Sequence, residues 1–408
     1  MSESLSLTER LAKHLLRPVD DATRQRARLH LLDWLACVAG ARNSHIAAII
    51  GNVYQAQEVS EYLGNILEMD DVHREALLHP GPIIWPTVFG DYAWPLCDLL
   101  DAAVAGYEAM IAVGSTLDAF HYSHWHPTTT AGYAGAAGAF SRLQCLNDRN
   151  ASWAIANALS VAGGFWQMRH DKVDTKQWHC VHAIRTGTEA AYKAEKGMTG
   201  PRFILEGPQG LYQAMTREPK PMALGEGWRI HEVSFKPWAA CRHAHPVIDC
   251  ALELRAAGKL APPFHIETYA DAIAFCDNPD PKTEVEAKFS VQHAVAVIDD
   301  GRAATPADFT PEAIAALGVL RAQVTVAEAP EITARYPAHF GARLNGFELT
   351  DCRGDPERPV GEADIIAKMH MLTEWGGLPA EEADRAVELA LRGNDAGAIV
   401  KMLEDWLS

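Results

Sequence analysis

Apolar residues recur at helical spacing along most of the first 225 residues. In the run TRQRARLHLLDWLACVAGARN, Leu29, Leu32, Leu35 and Val38 fall on one face of a helix. Segments rich in Ala and Gly, such as LLDAAVAGYEAMIAVGSTL and AGYAGAAGAFSRL, continue this pattern, and their small side chains let neighbouring helices approach closely. The pattern predicts a helical domain over residues 1–225.

The pattern changes near Gly225, where β-branched and aromatic residues begin to alternate with polar ones. Four segments show this partial alternation: 229–235, 264–275, 318–327 and 342–349. We therefore predict a small α+β domain over 226–365, followed by helices over 366–408 that return to the first domain. The predicted fold class is mainly α, with a large all-helical domain and a smaller α+β domain inserted before the C-terminal helices. A cleft between the two domains is the expected site.

Composition narrows the possible partners. The 408 residues include 48% hydrophobic side chains, enough for about two domains with a sizeable core. The 36 Lys and Arg against 53 Asp and Glu leave a net charge of -17, which argues against nucleic acid or an anionic membrane as partner. No signal peptide and no membrane-spanning apolar run is evident. Eight scattered cysteines without a CxxC pair favour reduced thiols in the cytoplasm.

Two histidine-rich stretches precede residue 135. In LEMDDVHREALLHPGPIIWP, residues 67–86, carboxylates and imidazoles are close enough in sequence for acid–base chemistry, although a solvated helix end followed by a turn explains them equally well. In AFHYSHWHPTTTAGY, residues 119–133, His121, His124 and His126 resemble metal ligands. Their spacing does not fit a zinc helix, and Pro127 instead predicts that His126 stands at a helix start.

Two further stretches place cations beside histidines. TKQWHCVHAIRTG, residues 175–187, puts Lys176 and His179 on one face of a predicted helix, where the alternative is an ordinary solvated face. In VSFKPWAACRHAHPVID, residues 233–249, Pro246 suits the first turn of a helix, so that Arg242 to His245 would stand at its entry and could bind a carboxylate. A surface loop is the alternative. EAKFSVQHAVAVIDDG, residues 286–301, contributes His293 before an apolar helix.

Taken together and in this order, these stretches resemble the MmgE/PrpD family, which includes 2-methylcitrate dehydratase, cis-aconitate decarboxylase and iminodisuccinate epimerase. FKPWAACRHAHPVID is similar to the family's Lys-Pro-Tyr-Pro-x-Cys-Arg-x-x-His-Pro pattern, and TKQWHCVHAIRTG to its Lys-Arg-Leu-His-Ala-Gly pattern. HWHPTTTAGYAGAAGA, LEMDDVHREALLHPG and KFSVQHAVA resemble three further family segments. The resemblance covers essentially the whole chain and implies the same two-domain fold, usually in homodimers.

The resemblance also implies which residues form the site. As catalytic residues we predict His126, His79, Lys236 and His293, with His126 as the leading proton-transfer residue. As substrate-binding residues we predict Lys176, Arg242, His245, Glu68, Cys241 and His179. The chain departs from the family where Glu68 replaces a common aspartate and His293 replaces a tyrosine. We expect no metal and no other cofactor. A nucleotide cofactor is not expected because the Gly-rich segments lack the strand–GxGxxG–helix setting of nucleotide sites.

The functional expectation is a cofactor-independent lyase or isomerase acting on a small di- or tricarboxylate. A dehydratase of the 2-methylcitrate type is placed ahead of an epimerase or a decarboxylase. Two alternatives belong to other classes: a metal-dependent hydrolase that uses His121, His124 and His126 with Asp70 or Asp71, and a carboxylate-binding protein without activity.

Overall fold

The computed structural model describes residues 4–90, 94–171 and 173–408, which form two compact units. The first unit contains the residues up to Ile66, then Ala76–Val233 and Ile365–Ser408. The second unit contains Leu67–Glu75 and Ser234–Asp364. The acidic segment Leu67–Glu75 therefore belongs with the α+β residues, although it lies within the helical half of the sequence.

The first unit is built from helices around small residues. Gly106 and Gly187 mark two close approaches between helices, because a Cβ at Gly106 would lie 2.7 Å from the Ala139 Cβ and one at Gly187 would lie 2.5 Å from the Ala136 Cβ. The predicted close approach of the Ala- and Gly-rich helices is thus confirmed. The helices are α1 (Leu7–Leu15), α2 (Asp21–Ala41), α3 (His45–Gly51), α4 (Ala56–Leu63), α5 (Gly81–Phe89), α6 (Leu96–Gly114), α7 (Ala119–His124), α8 (Pro127–Leu143), α9 (Asp148–Leu159), α10 (Thr175–Glu195) and α11 (Leu211–Met215).

Within the described residues of the second unit, short helices pack around a four-stranded sheet. Its elements are α12 (His245–Ala256), β1 (Phe264–Thr268), α13 (Ala270–Cys276), α14 (Glu284–Lys288), α15 (Val291–Asp299), α16 (Pro311–Ala316), α17 (Gly318–Arg321), β2 (Val324–Glu328), α18 (Pro330–Thr333), β3 (Ala342–Leu344) and β4 (Phe347–Leu349). The strand order is β2-β1-β3-β4, with β1 and β2 parallel and the other pairs antiparallel. Helix α12 packs against β3 and β4.

The C-terminal helices are α19 (Glu362–Trp375), α20 (Ala380–Val387) and α21 (Ala396–Leu407), with a π-helical turn at Glu388–Arg392. A buried ion pair ties α19 to α2, since Lys368 Nζ lies 2.6 Å from Asp33 Oδ1. At the end of α2, Arg42 donates to the Trp406 carbonyl at 2.7 Å. These bonds fix the last helices to the first unit.

The mainly helical fold with a small α+β part is confirmed, but the observed strands cover less of the chain than the predicted ones. Residues 229–232 form a 3-10 helix because side chains of the first unit bind them: the Arg229 N–H donates to Glu108 at 2.8 Å, and His231 contacts the Thr23 hydroxyl at 3.0 Å. In 264–275 and 318–327, a helix takes about half of each segment. No helix among the described residues has both the length and the apolar character to cross a membrane.

Candidate active site

A short antiparallel bridge holds the acidic segment Leu67–Glu75 against the chain after residue 233. The Val72 N–H donates to the Ser234 carbonyl at 2.9 Å, and the Ser234 N–H donates to the Val72 carbonyl at 2.8 Å. This pairing places Lys236 beside two carboxylates. Lys236 Nζ lies 3.1 Å from Asp70 Oδ1 and 3.8 Å from Glu68 Oε2.

These three charged groups are buried in the second unit, so the alternative of a solvated helix end is wrong for this segment. Buried charges persist in proteins when they are paired, as Lys236 and Asp70 are. The backbone at Glu68 has a φ of 56°, in the left-handed region that a residue with a side chain rarely adopts. Such strain costs on the order of 1–3 kcal/mol and is concentrated at functional sites. It marks Glu68, Asp70 and Lys236 as the strongest candidates for chemistry in the second unit.

Cys241 follows this cluster and is also buried, with its N–H donating to the Lys288 carbonyl at 2.9 Å. Burial raises the pKa of the Cys241 thiol, but a hydrogen bond from Cys276 lowers it. The His243 N–H and the charge of Lys236 act in the same direction as Cys276, and the net result is a lowered pKa. The Cys241 thiol is therefore close enough to Lys236 for the charge of the lysine to lower its pKa.

Arg242 and His245 brace each other at the start of α12. Arg242 binds the Asp355 carboxylate at 2.5 Å and the Arg353 carbonyl at 3.2 Å, and its Nη1 donates to His245 Nδ1 at 3.2 Å. The other ring nitrogen of His245 lies 3.1 Å from the Ala240 carbonyl. Because guanidinium only donates and a carbonyl only accepts, His245 is a neutral ring with its proton on Nε2. Both side chains therefore fix the entry to α12, as the position of Pro246 predicted for the helix start.

His293 has a similar internal role in α15. Its Nε2 donates to the Asp308 carbonyl at 2.8 Å, and its Nδ1 accepts from Arg321 at 3.3 Å. Burial, together with the charges of Arg321 and Arg302, lowers the pKa of His293 to about 4. Both ring nitrogens are engaged, so this geometry does not favour the proton-transfer role predicted for His293.

In the first unit, His126 caps the N-terminus of α8, as Pro127 predicted. Its N–H donates to the Gly164 carbonyl at 2.8 Å, and its Nδ1 lies 2.8 Å from the Thr129 hydroxyl. The ring centroids of His126 and Trp166 are 4.7 Å apart. The imidazole is 2% exposed and lies at a helix N-terminus, where free N–H groups favour a negative charge.

Three other predicted residues of the first unit lie in α10 or contact the first turn of α8. The ring of His179, in α10, is 5.9 Å from the ring of His126 between centroids. Lys176 is half-buried one turn earlier in α10, as the helical pattern predicted. The His79 N–H donates to the Thr128 hydroxyl at 3.0 Å, in the first turn of α8. The first unit thus brings His79, His126 and His179 to the beginning of α8.

The histidines of the proposed metal cluster face different partners. His121 is buried with its Nε2 3.1 Å from the Thr130 hydroxyl, and burial lowers its pKa to about 4. His124 is exposed and its Nδ1 donates to the Phe120 carbonyl at 2.9 Å. In the part of the chain that the structure describes, the set whose ligand atoms lie within 4.8 Å of one another is instead His339, Asp351 and Glu357. Arg74 already pairs with two of these carboxylates, so this set is an ion-pair network.

Sequence reasoning missed the residues that support the site. Asp355 pairs with Arg242, Gly164 accepts from His126, and Thr129 contacts the His126 ring. Asp355 lies in a Pro- and Gly-rich segment without any local signal for its partner. The Gly163-Gly164 pair was the one available hint, because paired glycines often mark a close backbone approach.

The helical unit and the α+β unit correspond to two domains of one known protein family. Residues 62–223 match the MmgE/PrpD N-terminal domain, and residues 238–392 match the MmgE/PrpD C-terminal domain. The chain belongs to this family.

The curated relatives that the chain matches include proteins named as cis-aconitate decarboxylases and one named as similar to them. The cis-aconitate decarboxylase of Homo sapiens is 29% identical over 195 residues, which span 45% of this chain and 40% of that enzyme. The enzyme of Mus musculus is 29% identical over 196 residues, with the same coverage of 45% and 40%. The cis-aconitate decarboxylase-like protein oryM of Aspergillus oryzae is 25% identical over 277 residues, 57% of each chain. The chain thus spans roughly half the length of the relatives it matches.

Proposed function

We propose that this protein is a lyase that decarboxylates a small tricarboxylate of the cis-aconitate type without a cofactor. The curated relatives support this reading, because each of those described above is named as a cis-aconitate decarboxylase or as similar to one. The sequence alone favoured a 2-methylcitrate dehydratase, and the relatives favour the decarboxylase alternative instead. Both reactions pass through negative charge on a carbon next to a carboxylate.

The observation that carries the proposal is the buried His126 at the start of α8. In decarboxylation a carbon–carboxylate bond breaks, CO2 leaves, and the electron pair remaining on carbon takes up a proton. A positioned imidazole can supply that proton, while a helix N-terminus and nearby cations favour the carboxylates of the substrate. We assign proton transfer to His126, with His79 and His179 as its neighbours in the first unit.

Lys176 and Lys236 are retained as the cationic groups of the proposal. Lys176 stands in the first turn of α10, and Lys236 is buried with Glu68 and Asp70. Arg242, His245 and His293 are reassigned to bracing the second unit, because their hydrogen bonds are made within the protein.

A substrate panel followed by NMR in deuterated water tests the reaction. The panel contains cis-aconitate, citrate, methylcitrate, iminodisuccinate and hydroxy-diacids. We expect CO2 release from cis-aconitate and one solvent deuterium in the product. A new alkene without CO2 would show a dehydratase, and deuterium without net conversion would show an epimerase. Saturable binding without turnover would show a carboxylate-binding protein, and each of these results would overturn the decarboxylase proposal.

A matched pair of lysine variants in α10 tests substrate binding. Lys176→Met should raise KM, because it removes a cation from the first turn of the helix. Lys193→Met removes an exposed lysine that pairs with Glu189 near the other end of the same helix, and KM should not change. Equal effects of the two variants would contradict the role of Lys176.

The expected homodimer remains a prediction that light scattering checks.

A further inference from the structure

Three histidines of the first unit form a series from buried to exposed. His126 is 2% exposed, His179 is half-buried, and His182 is exposed. His179 and His182 are three residues apart in α10, so their side chains lie on the same face of the helix. The series therefore leads from the buried imidazole at the start of α8 to solvent.

His179 is suited to pass a proton between its neighbours. Its ring centroid is 5.9 Å from that of His126, a separation that a small bridging group or a modest ring rotation spans. Its Nδ1 is buried and has no hydrogen-bond partner within the described residues. Burial, followed by the nearby His182, lowers the pKa of His179, so the ring is neutral near pH 7. A neutral imidazole carries one N–H and one lone pair and can both accept and donate a proton.

A second contact between the helices holds the exposed end of the series. The Tyr133 hydroxyl lies 2.7 Å from His182 Nδ1, and Tyr133 is buried in α8, two turns after His126. Burial raises the pKa of Tyr133 to about 12, so its hydroxyl keeps its proton and can donate to His182 Nδ1. The Thr186 hydroxyl lies 3.5 Å from the same Nδ1.

The register of the two helices keeps these contacts together. His126 faces His179, and Tyr133 faces His182, so the contacts follow the same order along α8 and α10. Farther on, a Cβ at Gly187 would lie 2.5 Å from the Ala136 Cβ, so α8 and α10 are in close contact beyond the series. The close packing fixes the spacing of the two cross-helix pairs.

We propose that His179 and His182 form a proton route that returns one proton from solvent to His126 after each turnover, with Tyr133 orienting His182. This inference rests on the proposed decarboxylation. The reaction converts R–COO⁻ and one H⁺ into R–H and CO2, so each cycle removes a proton from the protein. His126 is nearly inaccessible, and the route restores its proton through two imidazoles. His182 acts through its neighbours and does not touch the substrate.

The route is tested with His182→Gln in dilute and concentrated imidazole buffer. We expect kcat to fall roughly tenfold in dilute buffer, less than the roughly 10²–10⁴-fold loss typical of a missing acid or base, with KM unchanged. Added imidazole should restore kcat, because a mobile proton donor replaces the missing ring. Tyr133→Phe should show a smaller loss with the same rescue. His124→Gln, which removes an exposed histidine outside the series, should leave kcat unchanged at every buffer concentration.

A measurement without substrate separates this inference from the proposed function. In a histidine NMR titration, His182→Gln should raise the pKa of His179, because it removes the neighbouring imidazole whose electrostatic interaction lowers that pKa. If the wild type turns over cis-aconitate and His182→Gln matches its kcat in dilute buffer, the proton route is wrong and the decarboxylase stands. If the wild type turns over no acid of the panel, the proposed function is wrong. An unchanged His179 titration would overturn the coupling between the two rings.

Discussion

Lys236 Nζ and Asp70 Oδ1 are 3.1 Å apart, and both side chains are buried, although the two residues are 166 positions apart in the sequence. Removing one member of a buried ion pair typically costs about 3–5 kcal/mol, because the other charge remains buried without compensation. Asp70→Asn should therefore lower the free energy of unfolding in urea titrations by up to that amount, since Glu68 remains 3.8 Å from Lys236 Nζ and compensates part of its charge.

The exposed pair of Lys282 and Asp280 provides a control in the same unit. Exposed ion pairs contribute little to stability because water screens them, so Asp280→Asn should change the urea midpoint little. A similar loss in both variants would show that the burial of the Lys236 pair does not determine its contribution.

His126→Gln should lower kcat on the identified substrate by roughly 10²–10⁴-fold, because it removes the proposed proton donor. The exposed His124, two residues earlier, is the matched control, and His124→Gln should keep the wild-type kcat. Steady-state kinetics and circular dichroism on both variants distinguish lost chemistry from lost fold. Wild-type kcat in His126→Gln would remove His126 from the mechanism.

Gly164→Ala should disturb the same site through the backbone. Gly164 has a φ of +104°, and a Cβ there would lie 3.1 Å from the Thr129 Cβ and 3.3 Å from His179 Nδ1. A shift of the His126 contacts by about 1 Å can cost up to roughly 10²-fold in rate. Gly163→Ala is the control, since a Cβ at Gly163 has no atom within 4 Å. The ratio of kcat in Gly163→Ala to kcat in Gly164→Ala measures the loss of rate at Gly164. A ratio near one would contradict the role of Gly164 in positioning His126.

The stability of the protein should depend on the protonation of His293. Its pKa is about 4 in the folded protein, whereas an unfolded histidine titrates near about 6.5. Between these values the unfolded state binds the additional proton, so the free energy of unfolding should decrease as the pH falls from about 6.5 to about 4 and change no further below that. The contribution is at most about 3 kcal/mol.

The comparison of wild type with His293→Gln isolates this effect, because glutamine can still donate to the Asp308 carbonyl but does not titrate. Urea midpoints at several pH values should fall more steeply for the wild type. His121, with a pKa of about 4, contributes the same trend to both proteins and cancels in the difference. Parallel curves would show that His293 does not titrate as the structure indicates.

Gly354→Ala should disturb the packing of residues 353–355, which bind Arg242. Gly354 has a φ of +97°, and a Cβ there would lie 2.0 Å from the Phe235 carbonyl oxygen, next to Lys236. Gly361→Ala, at an open position with no atom within 4 Å, is the control. We expect Gly354→Ala to lose at least about 1–3 kcal/mol of unfolding free energy in urea titrations. Equal stability of the two variants would contradict this account.

Sequence patterns predicted the features that depend on nearby residues. Pro127 and Pro246 indicated the starts of α8 and α12, and the small-residue runs indicated closely packed helices. The partner of Arg242 was not predictable in this way, because Asp355 approaches it only in the folded chain. The segment 229–235 was misread as a strand because contacts with Glu108 and Thr23 outweigh its local preference.

The type of reaction depends on even finer detail. Dehydration, decarboxylation and epimerisation use the same kinds of side chain and differ in where a proton donor stands relative to the reacting carbon. The residue types around His126 and Lys236 therefore indicate carboxylate chemistry in general. The relatives, and not the motifs, favour decarboxylation.

The chain enters and leaves the second unit twice, because Leu67–Glu75 belongs to it along with Ser234–Asp364. An isolated fragment of residues 234–364 would keep Lys236 but lack both Glu68 and Asp70. Chimeras that exchange residues 234–364 between relatives would therefore combine Lys236 with the acidic residues of another protein, unless residues 67–75 are exchanged as well. Breakpoints for recombination in this protein should thus be chosen in pairs, one set around residues 67–75 and the other around 234–364.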